Sequence, residues 1–129
     1  MLYAILCYNS EDIVSSWSKE EEAAVMARLI KVQERIDKQG RLGPVARLLP
    51  TTAATTLRKT RDEPLVVDGP FAETKEQLLG FYIIECETLE QAIADAKELL
   101  HANAGVGGYE IRPLLVFRPG PTDLGGEVA

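Results

Sequence analysis

Histidine is almost missing from this chain, with His101 the single one among 129 residues. Cysteine is nearly as scarce: Cys7 and Cys86 stand far apart, without Cys-x-x-Cys spacing. These residues supply too few ligands for a metal centre and no disulfide framework, so no resident metal is expected. Both cysteines lie in apolar, strand-like runs and read as small core residues of a protein in a reducing cytoplasm. Basic residues are outnumbered 20 to 14 by acidic ones, for a net charge of -6. A nucleic-acid partner needs clustered Lys and Arg against its phosphates, so none is expected. No apolar run approaches the roughly 20 residues that span a bilayer, and the start, Met1-Leu2-Tyr3-Ala4-Ile5-Leu6, has no basic signal region. Membrane association is therefore not expected either. Gly-x-Ser-x-Gly, the P-loop and Gly-x-Gly-x-x-Gly are all absent, and the glycines at 105, 107 and 108 do not open a helix, so no cofactor is expected.

What is present is a regular alternation of apolar runs and amphipathic segments. Residues 2–8 are apolar at both parities and too short for a helix, which predicts a strand buried on both faces, followed by a polar loop over 9–17. Ser18-Lys19-Glu20-Glu21 has the form of a capping box, with Trp17 in the staple position. Behind it Val25, Leu29, Val32 and Ile36 recur at helical spacing, with Met26 and Ile30 widening the stripe, and Gly40 ends the helix. After the Gly43-Pro44 break, residues 45–49 and 55–60 are shorter strand candidates, the second rich in threonine. Arg61-Asp62-Glu63 reads as a hairpin turn into Pro64-Leu65-Val66-Val67. A strand over 81–86 precedes a second capping-box form at Thr88-Leu89-Glu90-Gln91. A second amphipathic helix follows, carrying Leu89, Ala92, Ile93, Ala96, Leu99 and Leu100. The last strand is expected over 109–117. This order predicts one α+β domain over residues 1–118, with residues 119–129 a flexible tail. The fold expected is a ferredoxin-like split βαβ with an antiparallel sheet and both helices on one face. The uncovered sheet face then calls for a second copy of the chain, hence a homodimer.

Between two apolar segments lies the polar insert of Val67-Asp68-Gly69-Pro70-Phe71-Ala72-Glu73-Thr74-Lys75-Glu76-Gln77-Leu78-Leu79-Gly80-Phe81. A polar break between buried strands falls at a sheet end, where sites are commonly built. Asp68 is the candidate acid/base there, and the alternative is a turn carboxylate that accepts from nearby backbone N–H groups. Glu73 is the second catalytic candidate, since two neighbouring carboxylates can divide acid and base roles, and a solvated loop charge is its alternative. Arg112 could anchor an anionic ligand or pair with Glu110 on its own strand face, while Phe71 and Tyr82 complete the candidate small-molecule binding set. His101, at a helix end, reads as a capping group.

The stretch from Val67 to Ile84 closely resembles the signature of the DGPF proteins, a branch of the YCII-related domain family. Leu2-Tyr3-Ala4-Ile5-Leu6, Thr51-Thr52-Ala53-Ala54-Thr55-Thr56-Leu57-Arg58 and Gly108-Tyr109-Glu110-Ile111-Arg112-Pro113-Leu114 are similar to it too. The resemblance implies a dimeric α+β barrel of bacterial origin. It also implies genomic company with extracytoplasmic-function sigma factors, and hence an alternative role as a ligand-binding or regulatory module. For the YCII relatives it implies small-molecule enzymology through a His-Asp pair, of which only Asp68 has a counterpart here.

Overall fold

The computed structural model describes residues 1–121. Strand β1 (Leu2–Asn9) leads through a short helix α1 (Glu11–Ser15) into the long helix α2 (Lys19–Lys38). Then come β2 (Leu42–Arg47), a 3-10 turn (Thr51–Ala53), β3 (Thr55–Arg58), β4 (Leu65–Asp68), β5 (Gln77–Glu85), α3 (Leu89–Ala102) and β6 (Gly108–Pro113). The main sheet has the order β2-β5-β1-β6, antiparallel throughout, and β3 and β4 form a separate two-stranded hairpin. This is the expected α+β, ferredoxin-like arrangement, with the hairpin inserted between its second and third sheet strands. No helix among the described residues is long and apolar enough to cross a membrane.

The period-two geometry of β1 and β5 separates two apolar faces. Tyr3, Ile5 and Cys7 with Tyr82 and Ile84 face α2 and α3 and join Val25, Leu29, Ile36, Ala92, Ala96 and Leu99 in the core. Ala4, Leu6, Phe81 and Ile83 lie on the opposite face, where Ala4 and Ile83 are buried and Leu6 and Phe81 half-buried.

Local chemistry explains the element ends. Ser18 Oγ accepts from Glu21 N at 3.1 Å and Glu21 Oε1 accepts from Ser18 N at 3.3 Å, the reciprocal box expected for α2. At α3 the Thr88 hydroxyl caps Gln91 N, but the Gln91 side chain reaches one residue further back, to Glu87 N. Several expected boundaries move. The loop over 9–17 contains α1, because Ser10 caps Ile13 N above an acidic first turn, a signal too short to show periodicity. β2 begins at Leu42 and runs through Gly43-Pro44; it is an edge strand with an irregular register between Leu42 and Val45, where proline's missing N–H is tolerated. The third sheet strand starts at Gln77 rather than 81, and β6 stops at Pro113 rather than 117. Ile30, Leu89 and Leu100 are exposed rather than in the stripes. The expected tail lies mainly outside the described residues.

One polar group sits among the apolar positions of α3. Asp95 is 2% exposed. Its Oδ2 accepts from Arg41 at 2.8 Å and its Oδ1 from Arg41 at 3.3 Å and Arg35 at 3.1 Å, while Cys86 Sγ lies 3.5 Å from Oδ2. Arg41 also donates to the Glu85 carbonyl. The cluster thereby ties α2, the start of β2 and the end of β5 to α3. Burial alone would raise the Asp95 carboxyl, but the hydrogen bonds from Arg41 and Arg35 outweigh it and hold the group below the ordinary carboxylate range.

Candidate functional site

The core does not close completely between α2 and the sheet. A cleft of about 120 Å³ is lined by Val25, Met26 and Leu29 of α2, by Trp17, and by Cys7, Tyr82 and Tyr109 of the sheet. Its mouth lies by β2, where Val45 and Arg47 are exposed. The register explains why these side chains meet. Cys7 stands opposite Tyr109 on one side and Gly80 on the other, and the next inward residue of β1, Ile5, stands opposite Tyr82. Gly80 leaves room where a side chain would otherwise crowd β2, since a Cβ there would stand 2.4 Å from the Ala46 carbonyl oxygen.

Apart from Arg47 at the mouth, the polar groups of the cleft are few and neutral. Tyr82 Oη accepts from Gln33 Nε2 at 3.5 Å, and Tyr109 Oη accepts from Asn103 Nδ2 at 3.0 Å. A phenol that accepts one hydrogen bond still has its O–H to donate. Burial raises both tyrosines, with the neighbouring Cys7 adding to the effect. Burial also pushes the Cys7 thiol up to about 12, against a small opposing pull from Tyr109. Near neutral pH the cleft thus presents two protonated phenols and a protonated thiol, suited to donating hydrogen bonds and unsuited to nucleophilic attack, which needs the thiolate.

The carboxylate candidates lie elsewhere. Asp68 ends β4, is exposed, and has no hydrogen-bond partner for its carboxylate among the described residues. The turn that follows it is made by Gly69, whose φ of 109° only glycine adopts without strain, and whose N–H donates to Ala54 O at 2.8 Å. Glu73 lines a second, more polar groove of about 350 Å³ together with Thr51, Thr52, Gly69, Pro70, Thr74 and Gln77. Its floor is held by Glu11, which accepts from Thr51 N and Thr51 Oγ1, both at 2.6 Å, and by Gln77, whose Oε1 accepts from Glu11 N at 3.0 Å. Phe71 is 69% exposed, with the Arg58 guanidinium 4.6 Å above its ring. Arg112 lies 3.7 Å from Glu110, an exposed pair on the sheet face opposite the helices that contributes little stability. His101 occupies the last turn of α3. Of the five site candidates, then, only Tyr82 lies in the cleft, only Glu73 lines the polar groove, and Asp68, Phe71 and Arg112 line neither.

Cys7, Gln33, Asn103 and Tyr109 were not legible as cleft residues in the sequence. Each sits at an ordinary core or helix-flank position, and the gap between them is a property of packing. Asp95 did carry a signal: it falls in register with Ala92, Ala96 and Leu99, on the buried side of an otherwise apolar helix.

The model of the YCII-related domain matches residues 1–118. An uncharacterised protein of Rhizobium meliloti (strain 1021) is 58% identical over 120 residues, covering 93% of this chain and 97% of that protein. On both grounds the chain belongs to the YCII-related domain family.

Proposed function

We propose that this protein binds a small molecule of about one aromatic ring in the cleft between α2 and the sheet. The observation that carries the reading is an apolar cleft with two phenol groups at its sheet wall, Tyr82 and Tyr109, each already accepting one hydrogen bond, with the Tyr82 O–H left to donate another. Its volume is close to the roughly 150 Å³ of an engineered protein cavity that takes up benzene. A ligand with a ring and one carbonyl or phenol oxygen would satisfy the apolar wall and one tyrosine donor together. Such binding without chemistry would suit a sensor, the role that proximity to sigma factors implies. The two buried, unpaired thiols fit a reducing cytoplasm. A homodimer would join the sheet faces that bear Ala4, Leu6, Phe81 and Ile83, opposite the helices, with Glu110 and Arg112 of the edge strand at the rim.

In a fluorine NMR titration with 4-fluorophenol, the protein should show saturable binding. Tyr82→Phe should weaken it about three- to tenfold, the loss of one hydrogen bond of roughly 1 kcal/mol. Equal affinity in the variant would remove Tyr82 from the site, and a strictly linear response in the native protein would remove the ligand reading.

A catalytic reading is favoured by a different observation, the exposed Asp68 carboxylate one residue before a groove that contains Glu73. In that reading Asp68 acts as acid or base and Glu73 assists. Asp68→Asn should then abolish turnover of any substrate found by screening while leaving the melting temperature within about 2 °C, as expected for an exposed side chain. Retained turnover would end it.

A further inference from the structure

We propose that the ligand of the cleft is an aromatic acid, with its ring over Gly80 and Cys7 and its carboxylate on Arg47 at the mouth. This rests on the ligand reading above and names the chemical class that the cleft selects. The sheet register sets the arrangement. Arg47 of β2 stands opposite Gly80 of β5, Gly80 opposite Cys7 of β1, and Cys7 opposite Tyr109 of β6. Directly opposed residues present their side chains to one sheet face, so these four form a single row across the helix-facing side. Neighbouring strands lie about 4.8 Å apart, and the row spans roughly 14 Å from Arg47 to Tyr109. A residue without a side chain and a small one occupy its middle, between a guanidinium at the sheet edge and a phenol at the far end. All four line the cleft. In the next row Val45 stands opposite Tyr82, which puts the Tyr82 phenol beside this trough on the same face.

Charge favours an acid over a neutral ring. Among the described residues that line the cleft, Arg47 alone carries a charge and none is acidic, although acids outnumber bases in the chain as a whole. Arg47 Nη2 lies 3.1 Å from Glu22 Oε1 of α2, and Arg47 Nη1 lies 3.7 Å from Met26 Sδ. The guanidinium therefore reaches across the mouth from β2 to α2, against a methionine of the cleft wall. Arg47 and Glu22 are both about half exposed, and ion pairs of that kind are held weakly. Glu22 Oε1 and Met26 Sδ take two of the five N–H donors of the guanidinium, so a second carboxylate can be accepted alongside Glu22 or in its place. The planar fork matches a carboxylate with two parallel N–H bonds, a fit that a neutral ring substituent does not reproduce. A hydroxybenzoate answers each part of the site: its ring takes the apolar middle, its hydroxyl oxygen accepts from Tyr82, and its carboxylate accepts from Arg47.

The test is a fluorine NMR titration with two probes that differ by one carboxylate, 3-fluoro-4-hydroxybenzoate and 2-fluorophenol, slightly below neutral pH. The native protein should bind the acid about tenfold more tightly than the phenol, and the acid should displace the phenol. Arg47→Gln should abolish that preference while leaving affinity for the phenol within about twofold. Glu22→Gln removes the competing carboxylate and should strengthen binding of the acid about threefold without strengthening that of the phenol, a gain that a purely structural ion pair would not give. Equal affinities for the two probes, or a preference that survives Arg47→Gln, would overturn the anion site and leave the ligand cleft standing. An acid that binds without displacing the phenol would overturn it too. A linear response to both probes would remove the cleft as a ligand site as well.

Discussion

Asp95→Asn is expected to lower the melting temperature by about 10 °C, through a loss of roughly 3 kcal/mol in a domain of this size. The carboxylate is buried and takes three hydrogen bonds from two guanidinium groups, and Arg41 is itself largely shielded. Asparagine keeps the shape but leaves the shielded Arg41 without a counter-ion, whereas Arg35 keeps Glu98, and turns an amide N–H₂ toward one of the two guanidinium groups. The cost is that of an uncompensated charge inside the protein, which is far larger than the value of the pair compared with an apolar replacement. Glu98→Gln is the control. Glu98 also pairs with Arg35 but is half exposed, and its loss should stay within about 0.5 kcal/mol. The acid limb adds a second signature. Because Asp95 titrates below its unfolded value of about 3.9, its stabilisation is complete above that pH and is lost as the pH falls through the folded value. Melting curves of the native and Asn proteins should therefore converge below pH 4. A gap of constant size down to pH 2 would show that the charge of Asp95 is not the cause.

Gly80→Ala should destabilise the protein by about 2–3 kcal/mol, the upper part of the range for overpacking. The added methyl would stand 2.4 Å from Ala46 O and 3.2 Å from Arg47 Cα, both backbone atoms, so no side-chain rotation relieves the clash. β2 must move away from β5, and Ala46 and Arg47 at the cleft mouth must move with it. The variant should accordingly lose affinity for 4-fluorophenol as well as stability. Gly108→Ala provides the contrast: nothing lies within 4 Å of its Cβ position and its φ is not positive, so it should change stability by less than about 0.5 kcal/mol. Equal effects of the two substitutions, measured by urea denaturation, would show that the close approach of β2 and β5 is not what selects glycine at 80.

The fold was readable because its determinants are local and periodic. Capping boxes, 3.6-residue stripes and runs apolar at both parities each fix an element and the face it buries, and their order leaves few topologies. The errors fell where the signal is too short to repeat a period, as at Glu11–Ser15, or where a usual breaker is tolerated, as at Pro44 on an edge strand. The site was less legible. Tyr82 sits in an ordinary strand alternation, and its partners Cys7, Gln33 and Tyr109 come from three other elements, so only packing brings them together. The polar stretch after Asp68 was the loudest sequence feature, yet it builds a hairpin end and an open groove, with Asp68 itself facing solvent. Loop chemistry announces itself in sequence, whereas a gap between well-formed apolar stripes does not.

A crystal grown with 4-bromophenol tests the ligand cleft most directly, because bromine can be located by its anomalous scattering. The expected result is a peak between α2 and β5, in contact with Met26 and Leu29, with the phenol oxygen within hydrogen-bond distance of Tyr82 or Tyr109. Bromine found only on the outer surface, with that cleft free of it at millimolar concentration, would contradict the proposed function.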